Sequence, residues 1–94
     1  MMNSSGHIQT MQASRIAKRL LNHWKHKFDV VENASQYQIM MPSATILLTP
    51  QTHELVVEIQ AKDAETDLSY LEQVVLDHLS RMGQTELSAV WQQH

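Results

Sequence analysis

A chain of 94 residues with 43% hydrophobic content, two Gly, two Pro and no Cys is of single-domain size and apolar enough to fold around a packed core. The missing thiols exclude disulfides, thiolate zinc sites and thiol catalysis, and fit a reducing cytoplasm. A net charge of −3 argues against nucleic-acid binding by overall field, and the apolar runs are too short for a transmembrane span or a secretory signal, which argues against a membrane partner.

The charge is unevenly spread. Arg15, Lys18, Arg19, Lys25 and Lys27 fall in one acid-free stretch with His23 and His26, whereas most Asp and Glu lie in the second half. One basic helix and a dipolar molecule are therefore expected.

Taken in order, residues 1–5 read as a loose end of a single domain spanning 1–94, and His7 to Thr10 as a short strand. Thr10 offers an N-cap hydroxyl for a helix starting near Met11. In that helix Ala13, Ile16, Ala17, Leu20 and Trp24 recur at steps of three and four and form one apolar stripe.

Phe28 to Val31 is β-prone, Asn33-Ala34-Ser35 is a turn, and Tyr37, Ile39 and Met41 alternate with other neighbours, which predicts a hairpin. After Pro42-Ser43 the strand pattern resumes over Ala44 to Thr49. Pro50 to His53 turns the chain before Leu55, Val57 and Ile59 alternate again.

A second helix is expected to open around Asp63 to Glu65, where acids complement the positive end of the helix dipole. Its stripe is Leu68, Leu71, Val75, Leu79 and Met82, and Gly83 is expected to stop it in the left-handed conformation. Leu87, Ala89 and Trp91 alternate as a final strand.

The order β-α-β-β-β-β-α-β, with two singly amphipathic helices, predicts an α+β two-layer fold with both helices on one face of an antiparallel sheet. Trp24 and Trp91 belong to its core. The opposite face carries Val56, Glu58 and Val90, and its apolar members suggest a homodimer contact there.

The one notable local motif is His23-Trp24-Lys25-His26-Lys27. On a helix His23 and His26 lie about 60° apart around the axis, with Arg19 on the same side. In the second helix His78 borders the apolar stripe and Arg81 sits one turn further along. Side-by-side helices would gather His23, His26 and His78 near Arg81, as ligands for a metal or haem iron or as a contact surface for an anion. Without a phosphate loop, a serine elbow or a thiol, the residues offer no catalytic group, and an enzyme is the less favoured reading.

Ala13-Ser14-Arg15, Leu20 and the His23 to Lys27 string, followed by Leu71-Glu72-Gln73-Val74-Val75, His78-Leu79-Ser80-Arg81 and Leu87 to Trp91, resemble the bacterial family called domain of unknown function 2218. The resemblance covers nearly the whole chain. It maps the family's recurrent polar positions onto Ser14, His23, His26, Lys27, His78 and Arg81. It implies an association with iron acquisition, with a siderophore-interacting flavoprotein as partner. The expected role is therefore a cytoplasmic accessory or binding module for iron or siderophore handling. The alternatives are a metal- or haem-dependent enzyme using His23, His26 and His78, and a structural dimerisation domain.

Overall fold

Alternating apolar residues and two helical stripes resolve, in the computed structural model, into the expected element order; the structure describes residues 3–94. The elements are β1 (Asn3–Gln9), α1 (Ala13–Trp24), β2 (Asp29–Glu32), β3 (Tyr37–Met40), β4 (Ala44–Pro50), β5 (Glu54–Ala61), α2 (Leu68–Gly83) and β6 (Val90–Gln93). The strands form one antiparallel sheet in the order β2-β3-β4-β5-β1-β6. Consecutive turns build β2 to β5, and the N-terminal strand then slots between β5 and the C-terminal strand.

Both helices cover one face, α1 over β3 to β5 and α2 over β5 and β1. The strand period of two supplies that face with Ile39, Ile46, Leu48, Leu55, Val57 and Ile59, and β1 adds Ile8. From above, Ile16, Leu20, Leu21, Trp24, Leu71, Val75 and Leu79 close the core. Trp24 is buried as expected, whereas Trp91 is only partly buried against the core's edge.

Asn3–Ser5, expected in a loose end, instead belong to β1, and Ser4 is fully buried; Met1 and Met2 lie outside the described residues. Ser4 Oγ donates to Glu72 of α2, and Gln93 Nε2 of β6 donates to the same carboxylate at 3.1 Å. This polar link ties both termini to α2 and satisfies a hydroxyl that would otherwise be costly to bury.

The helix boundaries differ from the sequence expectation in three places. The hydroxyl of Thr10 accepts from Gln12 N–H at 3.1 Å, and α1 begins only at Ala13, with no side-chain cap at Gln12. Asp63, read as part of the helix start, caps a turn by accepting from Glu65 N–H. Asp67 is the true N-cap of α2, accepting from Tyr70 N–H at 3.1 Å.

At the far end of α2 the left-handed residue is Gln84, with φ 56°, and Gly83 is the last helical residue. A Cβ on Gly83 would lie 3.0 Å from Ile16 Cδ1, so glycine serves the close approach of the two helices. Gln84 therefore carries a steric cost that glycine would not. Gln84→Gly is expected to stabilise the fold by about 0.5–1 kcal/mol, the αL penalty less the extra unfolded-state entropy. Thermal unfolding should rise by about 3–6 °C for a domain of this size; a fall would show that the Gln84 side chain contributes more than its backbone costs.

Candidate functional site

The two helices run antiparallel, so successive turns of α1 meet successive turns of α2 in reverse order. Ile16 lies against Gly83, Arg19 reaches Met82, and His23 meets His78. On the solvent side of this seam lies a cleft of about 540 Å³. Arg19, Asn22, His23 and His26 line one wall; Arg81, Met82 and Gln84 line the other.

Local structure explains each position. Residues 19, 22, 23 and 26 follow the three-four spacing of one helix face, although α1 ends at Trp24 and His26 lies in the turn beyond it. That turn is held by Lys25 N–H on Leu21 O and by Phe28 N–H on Trp24 O. Gln84 reaches the cleft because the chain turns left-handed there.

Arg19 Nη1 donates to Met82 O at 2.9 Å. Gln84 N–H and Thr85 N–H satisfy the carbonyls of Arg81 and Ser80. The carbonyls that end α2 are thus occupied, which weakens the negative end of its dipole beside the cleft. The guanidinium keeps further N–H donors, and among the described residues no carboxylate lines the cleft. Two guanidinium groups and two imidazoles facing one space are suited to receive an anionic group.

His78 is not in the cleft wall. Its ring lies between Trp24, with centroids 4.9 Å apart, and His23, with centroids 5.7 Å apart. His78 Nδ1 is 2.8 Å from Val74 O, an arrangement that makes Nδ1 the protonated nitrogen. His78 is therefore a packing residue that props His23 from below.

The other sequence candidates lie elsewhere. Ser14 lines a separate cleft of about 330 Å³ with Ser35, Tyr37 and Thr49, toward the opposite end of α1. Lys27 Nζ lies over the Phe28 ring at 5.5 Å and is not in the Arg19–Arg81 cleft. Among the described residues no group of three His, Asp or Glu is placed to hold a metal ion, so the expected His23, His26 and His78 ligand set is not assembled.

Sequence reasoning missed Asn22, Met82 and Gln84. Asn22 was legible, since it completes the 19, 22, 23, 26 face. Met82 and Gln84 were not, because their place depends on where α2 ends.

A family model described as an uncharacterized protein conserved in bacteria, DUF2218, matches residues 5–92. The NMR structure of PA4090 from Pseudomonas aeruginosa is similar at 30% identity with a TM-score of 0.80, over 98% of this chain and 96% of that one. No curated protein matches.

Proposed function

Since the chain belongs to the bacterial family of uncharacterised proteins called domain of unknown function 2218, we propose that it is a cytoplasmic, non-enzymatic binding module for an anionic ligand, acting in iron or siderophore handling beside a siderophore-interacting flavoprotein. What supports the binding role is the convergence of Arg19, His23, His26 and Arg81 on one cleft that, among the described residues, has no carboxylate in its lining. The link to iron rests on the company that such domains keep, as the resemblance implies. Ferric siderophore complexes built on catecholates carry net negative charge, which suits such a lining. Among the described residues no helix is long and apolar enough to cross a membrane.

Titration with the anionic ferric complex of a tricatecholate chelator tests the reading. Binding is expected to saturate and to weaken with salt. Loss of the charge-assisted Arg81 contact alone should cost about tenfold in affinity, and with both imidazole contacts removed as well His23→Ala/His26→Ala/Arg81→Ala should abolish measurable binding. Arg19 is spared in this variant because it also caps α2. Unchanged affinity in the folded triple variant would overturn the proposal.

A further inference from the structure

On the other flank of Arg81 lies a second cleft, of about 590 Å³, which is lined by Gln73, Asp77, Ser80, Thr85 and Glu86 together with Arg81 itself. The two clefts thus share one residue and differ in charge: Arg19 with two imidazoles and no acid among the described residues on one side, two carboxylates on the other.

The state of Arg81 connects them. Asp77 and Arg81 are four apart on α2, with the acid on the N-terminal side, the favoured order for a helical ion pair. That pair does not form: among the described residues Arg81 is in no salt bridge, and Asp77 Oδ1 accepts instead from Gln73 Nε2 at 2.8 Å. Arg81 lines both clefts, and among the described residues no carboxylate pairs with it. Asp77 and Glu86 likewise have no cationic partner among the described residues.

We infer that the two clefts are one site for a dipolar ligand, whose anionic group binds Arg81, His23 and His26 and whose ammonium group lies across the ridge at Asp77 and Glu86. This rests on the anion-binding reading of the first cleft and adds the charge pattern of the ligand. A simple anion would meet only the basic half. An α,ω-zwitterion satisfies both halves, since its two charges are separated by a chain able to span roughly one helical turn, about 5.4 Å.

The test compares 6-aminohexanoate with hexanoate, the same anion lacking the ammonium group. Both are titrated into the full chain at low ionic strength, with the amide and imidazole NMR signals followed. The zwitterion is expected to bind about two- to fivefold more tightly, the gain of one exposed ion pair. Asp77→Asn/Glu86→Gln should erase that difference while leaving hexanoate binding in place. Equal affinities for the two compounds, or a difference that survives Asp77→Asn/Glu86→Gln, would overturn the dipolar site and leave the anion cleft standing. If neither compound shifts the His23 and His26 signals, the anion cleft and the dipolar site fall together.

Discussion

Trp24→Ala is expected to lose about 3–5 kcal/mol of stability, the usual cost of deleting a large buried aromatic ring. Trp24 is 5% exposed and joins three parts of the molecule. Its ring packs edge-on to Phe28, with centroids 6.1 Å apart, and against His78 at 4.9 Å. Its carbonyl accepts from Lys27 N–H and Phe28 N–H, which turns the chain out of α1. Removing the ring leaves a cavity at the end of the helix layer and takes away the wall behind His78. A domain of this size has about 5–15 kcal/mol in total, so the variant should be largely unfolded under mild denaturant. Trp24→Phe, which keeps an aromatic ring, should recover part of the loss. Urea unfolding checks both, and a loss below about 1 kcal/mol, typical of a surface substitution, would remove Trp24 from the core. In whatever fraction of Trp24→Ala stays folded, anion binding should also weaken, because His23 then rests on a mobile His78.

Gly6→Ala should cost about 1–3 kcal/mol, although alanine is ordinarily the better strand residue. Gly6 is paired with Val57 on one side and Trp91 on the other. The Trp91 ring lies flat over the Gly6 backbone, and a Cβ there would come within 2.6 Å of Cε3, 2.7 Å of Cζ3 and 3.0 Å of Cδ2. Those atoms belong to a rigid ring, so relief requires the whole indole to move or β6 to shift. Thermal unfolding should fall by about 5–15 °C. A double-mutant cycle isolates the cause: with Trp91→Leu in place, Gly6→Ala should become neutral or stabilising. An equal loss in both backgrounds would locate the strain elsewhere.

The helical layer shows how far side-chain spacing reaches. The stripe Ala13, Ile16, Ala17, Leu20 and Trp24 is buried as its spacing predicts, because a helix offers one face to the core whatever it packs against. The helix ends were less legible. Several acids precede α2, and any could begin it on local chemistry. The choice of Asp67 goes with the loop before it, where the Thr66 hydroxyl donates to Ser43 O at 3.0 Å and anchors that loop to the β3–β4 turn. Gly83 looked like a left-handed stop, yet its smallness is used against Ile16, a contact between residues far apart in sequence.

The sequence by itself determined the element order, the two-layer architecture and the basic face carrying Arg19, His23 and His26, since each follows from periodicity and charge within one segment. Only the tertiary structure decided that β1 lies between β5 and β6, that Arg81 comes to face His26, and that His78 is turned into packing while Ser14 and Lys27 stand apart. The physical reason is that these depend on how α1 and α2 cross. At the crossing Ile16 packs on Gly83 and Arg19 donates to the Met82 carbonyl, contacts between distant segments that no single segment encodes.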